Sequence, residues 1–263
     1  MTCPVLGSTS SDVSLWYASD PGTAFVPDGS TVPEAFTWYE VPITGESLGE
    51  QPVREPVALL SSVGGYEDVK QGHIEVSGSF SCNVQAISSF YDLLLCALRA
   101  DADLSIGSNN SEWEPDASIM AGNRKHALAI LKAVKVSATE YNLYVFRGME
   151  VNTLNIAVDP NSIVSAECGL VGCYQEDASD KVALPAYWEF VSALTAPLMA
   201  GRTALRNFHV LGDGSEYEES VFMSLNISID NQYTTHHVLG SSQYSGRVFP
   251  GNLSVTYSGS AYY

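Results

Sequence analysis

The stretch from His73 to Leu98, HIEVSGSFSCNVQAISSFYDLLLCAL, changes its apolar period partway along, and this limits the fold more than any other feature. In its first half Ile74, Val76, Phe80, Cys82 and Val84 point one way, and His73, Glu75, Ser77, Ser79, Ser81 and Asn83 point the other. A period of two is a half-buried strand. The period then becomes 3.6, with Ile87, Phe90, Tyr91, Leu94, Leu95 and Leu98 on one stripe, so the spacing predicts an amphipathic helix from about Gln85 to Arg99. No other stretch of the 263 residues carries a comparable helical pattern. The strand face opposite the core is small, polar and, at Glu75, acidic. Such a face reads as a wall more than as a reactive site.

Other strands follow from the same alternation. Val13, Leu15 and Tyr17 form a short one, and Phe36, Trp38 and Tyr39 another. Residues 1–53 are otherwise rich in turn signals such as Asp20-Pro21-Gly22, and hold seven acids and no base. They read as an extended arm lying along a neighbouring surface, with the main domain spanning 54–263. Arg54–Ser62 is a strand, Val63–Gly72 a glycine-flanked charged loop, and His73–Val84 the strand above. Lys125–Val136 is apolar on both faces, as in a strand buried on both sides. Asn142–Arg147 and Val151–Val158 are strands. The latter joins Ile163–Cys173 through Asp159-Pro160-Asn161-Ser162, a type I turn signal. Gln175–Pro185 is a connector, and Ala186–Met199 a loop or one helical turn. Leu205–Leu211 and Val221–Ile229 are strands, and Tyr233–Arg247 is a loop. Asn252–Ser258 is a strand with Leu253, Val255 and Tyr257 inward. HIEVSGSF echoes NLSVTYSGSAY weakly, which leaves open a partial duplication of 54–173 in 203–263.

Composition excludes several functions. Thirty acids against 12 bases give a net charge of −18, the opposite of the basic footprint that holds a nucleic acid. Charged residues are only 16% of the chain, so Ser, Thr, Asn and Gly cover much of the surface. The five cysteines are odd in number and lack disulfide or zinc spacing, so they read as buried thiols in a reducing compartment. The N-terminus has no basic start and no apolar core segment, and no run approaches the ~18 apolar residues of a membrane span. Folding in a cytoplasm is expected.

Chemical motifs are absent. There is no nucleophile elbow, phosphate loop, dinucleotide fingerprint or zinc-protease motif. His236-His237 is the one metal candidate, but its histidines face opposite sides and no acid or cysteine sits beside them in sequence, so it reads as a solvated loop. Glu216, Glu218 and Glu219 read as an exposed acidic edge. Three glycosylation-type sequons, at Asn109, Asn226 and Asn252, lack a secretory context. No catalytic activity, metal or cofactor is expected.

Several elements, in order, resemble the major tail tube proteins of long-tailed bacteriophages. They are TWYEVPITGESLGEQPVREPVALLSS, with Glu46, Arg54 and Ser61; VSGSF, with Gly78; FYDLLL; MAGNRKHALAI, with Gly122; NLYVFRGMEVNTLNI, with Gly148; SIVSAECGLVG; SLNISIDNQ; and VLGSSQYSGRVFPGNLSVTYSG. The family continues past the last element with further strands, whereas this chain ends at Tyr263. The resemblance therefore implies an abbreviated second half or a shortened form. It implies a mainly β fold, a sandwich flanked by one helix, whose strands join a ring-shaped barrel on oligomerisation. It implies stacked rings forming a tube that conducts the genome, in a virion tail assembled in the host cytoplasm. The partners it implies are further copies of the chain and the tape-measure, tail-terminator and tail-tip proteins. DNA passes without specific binding, and no membrane is involved. One tube domain per chain gives a hexameric ring, which is expected here; a duplicated domain gives a trimer. A host-binding or adhesin-like β-sandwich is the alternative, as is a β-sandwich enzyme.

A conduit needs a bore that does not grip phosphate. The polar faces of the alternating strands supply candidates for the lumen: Glu75, Ser77, Ser79, Glu167, Ser224, Asn226, Ser228, Ser254 and Thr256. The loop with Gly64, Gly65, Tyr66, Glu67, Asp68 and Lys70 is the candidate contact between rings, ordering on assembly.

Overall fold

Alternating residues build a mainly β protein with one helix. The computed structural model describes residues 12–19, 37–57, 68–85, 88–100, 121–176, 179–182, 184, 188–191, 198, 221–237, 244 and 247–262. In chain order the elements begin with β1 (Val13–Ser19), β2 (Thr37–Val41), β3 (Ile43–Glu46), β4 (Gly49–Val57), β5 (Asp68–Asn83) and the helix α1 (Ser88–Leu98). They continue with β6 (Leu128–Lys135), β7 (Tyr141–Val158), β8 (Ser165–Gly172), β9 (Tyr174–Gln175) and β10 (Ser179–Val182). Last come β11 (Glu189–Val191), β12 (Val221–Asp230), β13 (Thr234–His236), β14 (Arg247–Phe249) and β15 (Ser254–Tyr262).

The sequence reading gives two strands where the structure has the single strand β7, 18 residues long. Its first half pairs with β6, β9 and β10, and its second half with β8 and β12. The change of partners follows Gly148, whose φ of +60° lies in the left-handed region that glycine tolerates. A Cβ there would sit 2.9 Å from the Cys173 sulfur. A bulge between Val151 and Thr153 then shifts the register against β8. One half-sheet runs β11-β2-β1-β6-β7; the other runs from β7 through β8 to β5, which carries β3 and β4, and from β7 through β12 to β15. All described pairings between strands are antiparallel except β11 with β2.

The main core lies between these half-sheets. Leu15, Tyr17, Ile130 and Phe146 come from one, Val76, Phe80, Leu154, Cys168 and Leu225 from the other, and Phe90, Leu93, Cys96 and Ala97 from α1. A second cluster covers the far face of the first half-sheet, where Trp38, Ala129, Leu131, Leu143, Val145 and Trp188 meet. That is why β6 reads as apolar on both faces: Leu128, Ala129, Ile130 and Leu131 are all fully buried. The four described cysteines, Cys82, Cys96, Cys168 and Cys173, are free and buried.

The expectation that residues 1–53 lie outside the core is corrected. β1 pairs with β2 on one side and β6 on the other, and Leu15, Tyr17 and Trp38 are fully buried. The short run VSLWYA supplies apolar side chains to both faces, which outweighs the acid-rich average of the segment around it. Several boundaries differ too. β4 starts at Gly49, and Asp68 and Lys70 belong to β5, paired with Val57 and Glu55, so the predicted loop is part of a long hairpin ladder. Strands β10, β11, β13 and β14 occupy segments read as connector or loop. Residues 205–211 and the loop residues Gly64, Gly65, Tyr66 and Glu67 fall outside the described residues.

Helix α1 packs on the apolar side of the second half-sheet. Phe90, Leu93, Cys96 and Ala97 join the main core and Leu95 is fully buried too, whereas Leu94 and Leu98 are only partly covered. Asp92 is fully buried as well, where it accepts a hydrogen bond from the Tyr17 hydroxyl at 2.8 Å. Burial, then the nearby Asp92 charge, push the Tyr17 pKa well above its usual value. The helix ends at Arg99, a left-handed residue with φ of +51°. Ala100 N–H donates to Leu95 O (3.0 Å) and Arg99 N–H to Cys96 O (3.2 Å), the paired bonds of a Schellman end.

Glycine usually fills that position, since a side chain in this conformation costs about 1–2 kcal/mol. Here the side chain is used. Arg99 Nε donates to Asn231 Oδ1 at 2.6 Å, and its terminal nitrogen donates to the carbonyls of Asn231 (2.9 Å) and Gly251 (3.1 Å). Asn231, fully buried, donates in turn to the carbonyls of Ala97 (2.9 Å) and Val151 (2.8 Å). One buried polar node thus ties the helix end, β7, the end of β12 and the approach to β15.

Leu93→Ala should lower stability by about 2–5 kcal/mol, as for other buried leucines, and Leu94→Ala should cost less than half as much. Urea denaturation followed by circular dichroism gives both values. Equal losses would mean that the packing order along the helix is wrong.

Candidate functional site

The register of the second half-sheet decides which side chains share a face. Ser81 lies opposite Glu167, Glu167 opposite Asn155, Asn155 opposite Ser228, and Ser228 opposite Thr256. A parallel row runs Ser79, Gly169, Thr153, Asp230, Ser254, and another runs Asn83, Ser165, Ala157, Asn226, Ser258. Because side chains alternate, these rows share one face and the main core occupies the other. The alternation places Glu75, Ser77 and Ser224 on the same face. All nine predicted wall residues therefore lie on one surface. All are half-buried or exposed.

That surface is smooth for chemical reasons. Its hydroxyls and amides bond to one another and to the backbone. Ser228 Oγ donates to Asn155 Oδ1 (2.7 Å), Ser224 and Ser260 hydroxyls meet at 2.9 Å, and Ser79 N–H donates to Ser47 Oγ at 3.0 Å. Gly169 leaves room for Thr153, whose hydroxyl would be 2.3 Å from a Cβ at that glycine. Gly78, with φ of +155°, lets the Ser47–Leu48 backbone cross β5 closely; a Cβ there would meet Leu48 Cα at 2.6 Å. The hydroxyl bonds and the gap at Gly169 keep the face low and its polar groups satisfied; Gly78 has the opposite phase and makes room for buried Leu48.

The charge on the face has one sign. Glu75, Glu167 and Asp230 are its acids, and no lysine or arginine occurs in the three rows. Three described bases are held by partners of their own. Arg99 is in the buried node, Lys132 pairs with Glu46 at 2.8 Å, and Arg147 with Glu176 at 3.1 Å.

Glu75 sits at the margin of this surface in a small cluster. Its Oε1 lies 3.3 Å from His73 Nε2, and the His73 ring stacks on His237 with centroids 4.1 Å apart. Burial, then the His73 charge, lower the His237 pKa from its usual value. The sequence reading gives His237 no partner because no acid or cysteine stands beside it in the chain; the fold brings His73 and Glu75 to it. His236 turns away, edge-on to Phe249 with ring centroids 4.7 Å apart.

Other side chains of this surface escape the sequence reading. Thr153 and Asn155 join the rows, but the bulge before Thr153 breaks the alternation. The spacing of Val151 and Leu154, both buried and three apart, is the one sign of it in sequence. A second correction concerns β15. Val255 and Tyr257 lie on the core-side face by register, yet are 47% and 80% exposed. Among the described strands β15 pairs only with β12, and it extends beyond the part of the sheet that the helix and the opposite half-sheet cover.

The fold is mainly β, and the described rows of this face carry acids but no lysine or arginine. The family model described as phage tail tube protein matches residues 10–263, so the chain belongs to that family. Its role is that of a structural component of the tube in a phage tail. A solved structure, the hybrid solid-state NMR and cryo-EM structure of the SPP1 tail tube, is similar at 8% identity and a TM-score of 0.36, covering 80% of this chain and 91% of that one. Comparison with curated proteins found no match. Among the described residues, no helix is long and apolar enough to cross a membrane.

Proposed function

We propose that this chain self-assembles into rings, that the rings stack into the tail tube, and that the polar face of the second half-sheet lines the bore through which the genome leaves. The observation that carries this reading is the single face shared by Glu75, Ser77, Ser79, Glu167, Ser224, Asn226, Ser228, Ser254 and Thr256. A wall of satisfied hydroxyls and amides with acidic charge has no cationic side chain to replace the counter-ions of the phosphates, so DNA slides without being held.

The ends of the half-sheet supply the means of closing a ring. At one end β15 has β12 as its only described strand partner; at the other, β3 and β4 each have β5 as theirs. An unpaired strand edge is a template for another strand. Joining β15 of one subunit to the β3–β4 edge of the next continues the sheet, and repetition round a ring closes a barrel. Val255 and Tyr257 then have a neighbour to cover them. Six tube domains per ring, one from each chain, fit this scheme. The β4–β5 hairpin projects beyond the sheet and carries the residue 63–67 segment to the adjacent ring. Tape-measure, terminator and tip proteins are the further partners that such a tube requires.

Electron microscopy of the purified protein should show rings or tubes. Tyr257→Asp should leave the monomer folded, with a change in stability within about 0.5 kcal/mol, and abolish rings. Tubes of normal length from this variant would remove β15 from the interface. In the same images, replacing Gly64, Gly65, Tyr66 and Glu67 by a Gly-Ser linker should permit rings and prevent stacking. Long tubes from that variant would show that another segment joins the rings.

The bore assignment has its own test. Lysine at Ser77, Asn226 and Thr256 together should leave tubes intact and slow DNA release, more so at low salt, because lysine charges are less screened there. Unchanged release at every salt concentration would place these residues outside the bore.

A further inference from the structure

His73, Glu75 and His237 meet at the margin of the polar face, and the tube role gives their cluster no task as a set. One ligand-type atom from each lies within 4.8 Å of the other two. We propose that they are a binding site for a divalent transition ion of the zinc type, which clamps the segment after β13 onto β5. The donor set is two imidazoles and one carboxylate, which suits zinc better than the oxygen-seeking calcium or magnesium.

Three features favour a site over a chance stack. The first is geometry: His73 Nε2 and Glu75 Oε1 are 3.3 Å apart, close to the edge of about 3.4 Å in a tetrahedron with bonds of ~2.1 Å. The second is rigidity. His73 and Glu75 are two apart on one strand, so they project from the same face. The third is support from behind. Tyr244 forms a parallel bridge to Ile74, and its hydroxyl donates to Glu50 Oε1 at 2.7 Å, which fixes the chain beyond His237 on β5. A backbone hydrogen bond with Tyr244 also orients the His237 ring. Ligating histidines commonly make such an outer bond, which fixes ring orientation.

Three protein ligands leave a fourth position, for water or for a donor from a neighbouring subunit. The ion bonds β5, at the margin of the polar face, to the start of the connection between β13 and β14. It bridges parts of the sequence more than 160 residues apart, so binding should stabilise the folded state over the unfolded chain.

Full-length protein stripped with a chelator should bind one Zn2+ per chain, with micromolar affinity by isothermal titration calorimetry. The Co2+ form should show the intense visible bands of a four-coordinate site. His73→Ala and His237→Ala should each weaken Zn2+ binding at least tenfold, and Glu75→Gln should weaken it measurably, with circular dichroism unchanged. His236→Ala, one residue away and facing Phe249, should bind as the parent does. No saturable binding at 1 mM Zn2+, as an order-of-magnitude ceiling for an ordered three-ligand site, would overturn the proposal. So would a loss of less than tenfold in both histidine variants, or an equal loss in His236→Ala. The readout does not depend on tube formation. A protein that forms tubes without binding zinc refutes only this site, and one that binds zinc without forming tubes refutes only the assembly reading.

Discussion

The whole arrangement depends on β7 serving two half-sheets. A strand can pair on two edges only, and β7 spends its first half on β6 with β9 and β10 and its second half on β8 and β12. The transfer requires a turn of the backbone between the halves. Gly148 supplies it at φ +60°, and the bulge before Thr153 resets the phase. Without that reset, Asn155 and Leu154 would exchange faces. An amide would enter the core and a leucine the polar surface. The bulge therefore fixes both the core and the wall.

The Arg99–Asn231 node performs the complementary task for the helix. A short helix of 11 residues gains little stability from its own hydrogen bonds. It is held by what it buries and by how its end is satisfied. The guanidinium reaches the end of β12 and the approach to β15, while the Asn231 amide reaches back to Ala97 and across to Val151. All these groups are buried or partly buried, where an unpaired donor would cost more than the bond gains. The strands that carry the polar wall are thereby fixed relative to the helix on the opposite side of the sheet.

Much of this was legible in sequence. The change of period at 73–98 locates β5 and α1, and alternation in the other strands groups their polar side chains: nine residues from four strands share one surface. Alternation reports which side of a strand a residue occupies, so a grouping by side survives even when the partners are unknown. It reports less about what covers that side. Tyr257 has the core-side phase and is 80% exposed, because cover depends on neighbouring elements. Nor does alternation reveal contacts distant in sequence. The acid-rich first 53 residues concealed a central strand. His237 has no ligand beside it in the chain but has two beside it in space.

The buried sulfurs have a consequence for the particle rather than for the subunit. Burial pushes the Cys82 pKa up to about 11 and raises those of Cys96 and Cys168 as well. At neutral pH Cys82 therefore stays in the thiol form, and little of it is the thiolate that oxidants and disulfides attack. Thiols shielded in this way offer a dissolved oxidant little to react with, so in prolonged storage of the particle these buried sulfurs should be among the last groups to oxidise.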